Sequence, residues 1–250
     1  MIGRLFSRKR REEPVDPLPT LRIDLHSHIL PGIDDGAKNI EKSLEMLRAM
    51  QELGYEKVIT TPHVMADAYR NTTRTILEKL ALLRQAAKQE GLEIEIEAAA
   101  EYYMDEELSA RLEKDDILTI GGEYLLFETS YISKPLNFEE VVYEMQAKGY
   151  KALFAHPERY RYITDPQKEY SEIKKLGVLF QIDINSLGGQ YGKQAQENAQ
   201  LLSEWGLVDF LGSDAHGTRH IQFLKKVFAD PKYHKLLKNN TILNDIVLKA

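Results

Sequence analysis

The segment LRIDLHSHILPGIDDG, residues 21–36, begins as an apolar strand and then places two histidines and three acidic residues within thirteen positions. His26 and His28 are two apart, so on an extended chain both imidazoles project to one side, as two adjacent ligands require. An apolar strand that ends in ligating side chains is the mark of an α/β fold whose site gathers where its strands end. The rest of the chain has the alternation such a fold needs.

Short apolar or β-branched runs at 21–26, 56–61, 93–99, 124–128, 151–155, 178–184 and 208–212 read as seven strands. Helical periodicity separates them at 39–53, 72–90, 137–148, 166–176, 193–205 and 219–229, with further helix expected at 231–238 and 241–248. Gly54, Gly91, Gly149, Gly177 and Gly206 follow helices and stand at or near the next strand, where a left-handed helix cap favours glycine. Repeated helix, glycine, strand units imply parallel strands with crossover helices, and seven of them predict a closed or distorted TIM-like barrel, (β/α)7. The stretch EYYMDEELSARL, 101–112, breaks the rhythm and reads as a loop with a short helix over the site.

A chain of 250 residues, 43% hydrophobic, suffices for one large domain, expected over 21–250. Residues 1–20 read as a basic leader followed by a proline-containing linker, EEPVDPLPT. Arg4, Arg8, Lys9, Arg10 and Arg11, with Ile2, Leu5 and Phe6, form either a solvated tail or a weak contact with anionic membrane through residues 1–11. The sequence has no run long enough to span a bilayer and no apolar secretory signal, so the expected location is the cytoplasm. A net charge of −6 argues against nucleic acid as a partner. Zero cysteines exclude disulfides, thiolate metal sites and cysteine-based phosphatase chemistry, leaving imidazole and carboxylate to hold any metal.

Five of the seven histidines fall at or just after expected strand ends: His26 and His28 in DLHSH, His63 in TTPHV, His156 in FAHPER and His216 in SDAHG. Glu101, Glu128 and Asp214 keep the same company, as do Asp34 and Asp35 in GIDDG. A single histidine at a strand end is ordinarily a hydrogen-bonded structural residue. Five beside carboxylates would leave several buried polar groups without partners unless cations join them. Glu101, Glu128, Asp214 and one of Asp34 or Asp35 supply four negative charges against six from three divalent ions, a surplus suited to an anion such as phosphate. Arg159 in HPERY and Arg219 in DAHGTR follow ligand candidates closely and are expected to hold that phosphate. His220 and His234, on expected helices, are assigned to solvent or capping, and Tyr102, Tyr103, Tyr131, Tyr160 and Tyr162 either pack or frame an aryl group.

DLHSHILPGIDDG, TPHV, GGEYLLFE, FAHPERY and GSDAH together resemble the PHP (polymerase and histidinol phosphatase) superfamily, in particular its bacterial protein tyrosine phosphatases of the CpsB/YwqE capsule-synthesis type. SLGGQYGKQ, 186–194, resembles a further segment of that subgroup, and the likeness runs from about Ile23 into the C-terminal helices. The resemblance implies a distorted seven-stranded barrel with three divalent ions, manganese with iron or zinc as alternatives. It places His26, His28, Glu101 and Asp214 around one ion, Glu101, Glu128 and His156 around a second, and His63, His216 and Asp35 or Asp34 around the third. It also implies Arg159 and Arg219 as phosphate contacts, a metal-bridging hydroxide as nucleophile, and a phosphotyrosine segment of a tyrosine kinase governing capsule or exopolysaccharide synthesis as substrate. The leader departs from the family pattern and leaves membrane association open, as is assembly into a homo-oligomer. The alternatives are a phosphomonoesterase for histidinol phosphate or nucleotides and a non-catalytic, metal-dependent regulator of the kinase.

Overall fold

The computed structural model describes residues 21–248, so the leader and the membrane contact assigned to it lie outside the described residues. The seven expected strands appear as nine short ones because two are interrupted. They are β1 (Ile23–Asp24), β2 (Lys57–Thr60), β3 (His63–Val64), β4 (Glu95–Ala98), β5 (Glu101–Tyr103), β6 (Tyr124–Glu128), β7 (Lys151–Ala155), β8 (Leu179–Asp183) and β9 (Phe210–Gly212). All paired strands run parallel, in two sheets ordered β1-β2-β4 and β3-β5-β6-β7-β8-β9. The expectation of a single seven-stranded barrel is therefore corrected to an α/β fold with two parallel sheets, the larger one curled. The ends of the series do approach each other. Ser27 and Ala215 form an isolated parallel bridge, in which Asp214 N donates to His26 O at 2.8 Å and His28 N to Ala215 O at 3.0 Å.

The interruption has a local cause. Pro62 has no N–H to continue the ladder after β2, and Thr61 N turns to Ser27 O at 2.7 Å. Two residues later the chain pairs again, now in the larger sheet, with His63 opposite Glu101.

Helices α1 (Ile40–Glu52), α2 (Thr73–Gln89), α3 (Glu106–Glu113), α4 (Phe138–Ala147), α5 (Pro166–Lys175), α6 (Ile184–Leu187), α7 (Lys193–Glu204), α8 (Thr218–Phe228) and α9 (Pro231–Asn239) connect and cover the strands. The helix expected at 241–248 is instead a 3-10 segment, Asn244–Leu248, and the short helix expected within 101–112 is α3, preceded by a strand rather than a loop. The five inter-element glycines all adopt φ between 68° and 94°, as their cap positions demand. Helix α1 shows how the helices form: Asn39 caps it by accepting Lys42 N, and Leu44, Met46, Leu47 and Met50 line its buried face.

The strands bury both faces, and their two-residue period sorts side chains into two cores. Leu126, Leu153 and Phe210 belong to the inner cluster with Ile23, Leu25 and Ile59, whereas Leu125, Phe127, Phe154 and Phe180 pack beneath the helices. Glu101 stands opposite Leu126, and Tyr103 opposite Glu128. Register thus carries both glutamates to the inner side, above its apolar layer.

The loop after β1 is pinned by close backbone approach. A Cβ on Gly36 would lie 2.0 Å from His28 O, and Ala37 N donates to that same oxygen at 3.0 Å. Gly36→Ala is expected to lower stability by about 3 kcal/mol, read as a lower urea midpoint with an unchanged slope.

Candidate metal centre

Glu101, fully buried at the start of β5, is the hub. Its Oε2 lies 3.4 Å from His26 Nε2, 3.5 Å from His28 Nε2 and 3.1 Å from His63 Nδ1, and its Oε1 lies 2.9 Å from His156 Nε2. Asp214 Oδ1 faces His26 and His28 at 3.3 and 3.2 Å, and Glu128 Oε1 approaches His63 Nδ1 at 3.0 Å. Asp35 Oδ1 stands 3.3 Å from His216 Nε2 and 3.5 Å from His63 Nε2. Four groups have potential ligand atoms within 4.8 Å of one another: His28, Asp35, His63 and His216; His26, His28 and Asp214; His26, Glu101 and His156; and His63, Glu101 and Glu128.

Of the two adjacent aspartates, Asp35 joins a ligand group and Asp34 does not. Asp34 instead accepts His28 Nδ1 at 2.8 Å, together with Gly36 N at 2.9 Å and His63 N at 3.3 Å. It fixes which ring nitrogen of His28 faces the centre, the role of a supporting carboxylate behind a ligand histidine.

Two of these positions are strained. His156 and Asp214 follow β7 and β9 with φ of 35° and 46°, left-handed conformations that cost a non-glycine residue energy and cluster at functional sites. At His156 the turn carries the ring to Glu101 instead of the outer side that Phe154 occupies.

The electrostatics are those of opposed charges gathered out of water. Burial pulls the His26 and His63 imidazoles down, but the neighbouring carboxylates, Glu101 foremost, raise them to about 9 and about 10. Burial pushes Glu101 and Asp214 up, yet the surrounding imidazoles, His26 first, hold both well below the usual carboxylate range. Asp35 is lowered to about 2, chiefly by its hydrogen bond from His216.

Above this cluster lies a cavity of about 450 Å³ whose walls include Tyr69, Tyr103, Tyr131 and Arg159. Arg159 pairs with Asp214, and its guanidinium lies over the rings of Tyr191, at 4.0 Å, and Tyr131, at 5.1 Å. Arg219 is exposed on α8 and lines a neighbouring cleft. Tyr102 and Tyr160 are core residues, and Tyr162 bonds Thr129 at 2.8 Å, so of the five candidate aromatics only Tyr103 and Tyr131 face the cavity. His220 is half-buried, with its Nδ1 3.3 Å from Asp214 O.

Residues 22–230 match the family model for capsular polysaccharide synthesis, CpsB/CapC. The chain belongs to the CpsB/CapC family. It is similar to the tyrosine-protein phosphatase YwqE of Bacillus subtilis, 32% identical over 230 residues that cover 88% of this chain and 91% of YwqE. It is 27% identical to the tyrosine-protein phosphatase CpsB of Streptococcus pneumoniae, covering 78% of this chain and 82% of that one. Among solved structures it matches, with TM-score 0.76 and 31% identity over 88% of this chain and 96% of that chain, one from work on B. subtilis YwqE and S. pneumoniae CpsB, described as metal-dependent tyrosine phosphatases.

The donor set of this CpsB/CapC protein fits metal ions. Glu101 Oε2, Asp214 Oδ1 and His63 Nδ1 are buried without a hydrogen-bond partner, and all three point into the cluster. Divalent cations would satisfy them, and oxygen with imidazole donors suits manganese, iron or zinc. Sequence reasoning missed Gln181, whose Oε1 lies 2.6 Å from His26 Nδ1, and Asp183, buried 3.9 Å from Arg159. Their signal was present: two polar residues inside an otherwise apolar strand run, VLFQIDI.

Metal loading of this CpsB/CapC protein must displace the imidazole protons. Adding divalent ion to chelator-treated protein near neutral pH is expected to release protons, and apparent affinity should rise with pH, as read by calorimetry in buffers of different ionisation enthalpy. In metal-free protein, stability from His26 and His63 is complete below their ordinary value of 6.5 and is lost as pH rises through about 9 and about 10. Thermal melts of metal-free protein should therefore fall across that alkaline window.

Proposed function

We propose that this CpsB/CapC protein is a metal-dependent phosphotyrosine-protein phosphatase acting on a bacterial tyrosine kinase that governs capsule or exopolysaccharide synthesis. The observation that carries the reading is Arg159, a half-buried guanidinium in the wall of the same cavity that the imidazole and carboxylate cluster floors. Asp214 takes one side of that guanidinium, and its remaining N–H donors, in the cavity wall beside the cluster, match the charge and geometry of a phosphoryl group. The tyrosine phosphatases among its relatives support the same chemistry.

In this reading three divalent ions, manganese foremost, are held by His26, His28, Asp35, His63, Glu101, Glu128, His156, Asp214 and His216. Asp34 orients His28, and Gln181 orients His26. The bound ions would supply Lewis-acid stabilisation of phosphoryl oxygens and a water acidic enough to attack at neutral pH. Arg159 donates to the phosphoryl oxygens, its planar guanidinium positioned by contact with the rings of Tyr131 and Tyr191. Tyr69 and Tyr103 give the leaving aryl ring apolar walls. A phenol of pKa ~10 leaves without a dedicated acid. The two sheets, joined at the Ser27 and Ala215 bridge, are read as the distorted seven-stranded barrel of the PHP fold. No helix among the described residues is long and apolar enough to cross a membrane, and the substrate's phosphorylated segment would be met in the cytoplasm.

The purified, metal-loaded protein is expected to turn over a phosphotyrosine peptide with higher kcat/KM than histidinol phosphate. The reverse order would favour the small-molecule phosphatase, and no turnover of either would favour a regulator. His63→Ala should lower kcat by on the order of a hundredfold or more. Arg159→Lys, which keeps the charge but loses the fork, should raise KM and weaken inhibition by inorganic phosphate by about tenfold or more.

A further inference from the structure

A second cleft, about 630 Å³, adjoins the metal cavity and shares one wall with it, His216. Lys38, Lys42, Arg219 and His220 line it, and no aspartate or glutamate does. In a protein of net charge −6, a cleft lined only by cationic and neutral groups is a local inversion of the surface. Among the described residues, neither Lys38 nor Arg219 has an ion-pair partner; Lys42 pairs with Glu45 of its own helix at 2.7 Å, with both side chains well exposed. Such an exposed pair exchanges readily for a stronger anion.

The loop between β1 and α1 explains how the two sites divide charge. Its two carboxylates turn toward the metal cluster, Asp34 to His28 and Asp35 to His63 and His216. Three and four residues on, Lys38 faces the other side of the same loop, into the cleft. His216 stands between, its Nε2 toward Asp35. A ligand that seats one phosphoryl group over the metal cluster can therefore reach cationic groups beyond His216 only with a second negative group attached to the same chain.

We propose that this cleft is a specificity subsite for a carboxylate or second phosphate on the peptide that carries the phosphotyrosine. The inference rests on the phosphotyrosine reading and deepens it, because a small monoester would leave the cleft unused. Arg219 acts here, at the flank of the substrate, and Arg159 acts on the scissile group.

The test compares three peptides of one length: phosphotyrosine with neutral flanks, with acidic flanks, and with a second phosphotyrosine. The metal-loaded full chain is expected to favour the acidic-flanked and doubly phosphorylated peptides by about fivefold to tenfold in kcat/KM, mostly through KM. Replacing both Lys38→Gln and Lys42→Gln should bring these ratios close to one. Preference for the doubly phosphorylated peptide alone would assign the subsite to phosphate, and preference for both would assign it to anions generally. Equal rates on all three peptides, or a preference that survives the double substitution, overturns the proposal. Binding of the same peptides to chelator-treated protein, read by fluorescence anisotropy, separates the two claims. If no peptide is hydrolysed but the acidic ones still bind more tightly through Lys38 and Lys42, the phosphatase reading fails and the anion site stands. If hydrolysis proceeds and neither assay discriminates, the phosphatase stands and the subsite fails.

Discussion

The structure depends on one buried carboxylate, Glu101, and on the register that puts it opposite His63 and Leu126. Leu126 below it belongs to the apolar interior, and four imidazoles reach it from three places in the fold: His26 and His28 after β1, His63 in β3 and His156 after β7. Taking such a group out of water is costly unless opposite charge surrounds it. The surrounding imidazoles, His26 first, meet that requirement, and the cluster they form with the carboxylates has the donor set that divalent cations take.

The supporting shell is arranged with equal economy. Gln181 and Asp34 hold His26 and His28 by their outward nitrogens, leaving the inward ones free for the centre. Asp24 accepts both the backbone N–H and the hydroxyl of Ser213 at 2.8 Å, which ties β1 to the segment that delivers Asp214 and His216. The strained φ angles of His156 and Asp214 persist because these bonds and the packed strands over-determine them. Arg159 brings positive charge to the rim, and the neighbouring rings of Tyr131 and Tyr191 contact it without consuming its donors.

Charge is also sorted between two adjoining spaces. Carboxylates and imidazoles face the metal cavity, while Lys38, Lys42 and Arg219 face the cleft beyond His216. Within the short loop before α1, Asp34 and Asp35 face the cluster and Lys38 lines the cleft, with Gly36, where a side chain would clash with His28 O, between them. A protein of net negative charge thus carries a cleft lined by cationic and neutral groups beside its site.

Much of this was legible in the amino-acid sequence. Hydrophobic period and glycine caps fixed the order of strands and helices, because burial on two faces and left-handed caps restrict which residues are tolerated. Histidines and acids at strand ends marked the site, since such groups are costly there without a purpose. What the sequence alone could not decide depended on direction. Asp34 and Asp35 are adjacent and chemically identical, and only the loop's path makes one a support and the other a member of the cluster. Arg219 follows His216 by three residues, yet α8 turns it into the neighbouring cleft. Pro62 was visible as a break, but its consequence, a shift of the chain from one sheet to another that brings His63 opposite Glu101, exists only once the strands have paired. Composition and period set what each segment had to bury, whereas the side on which each polar group emerged was decided by register and backbone turns that long-range contacts impose.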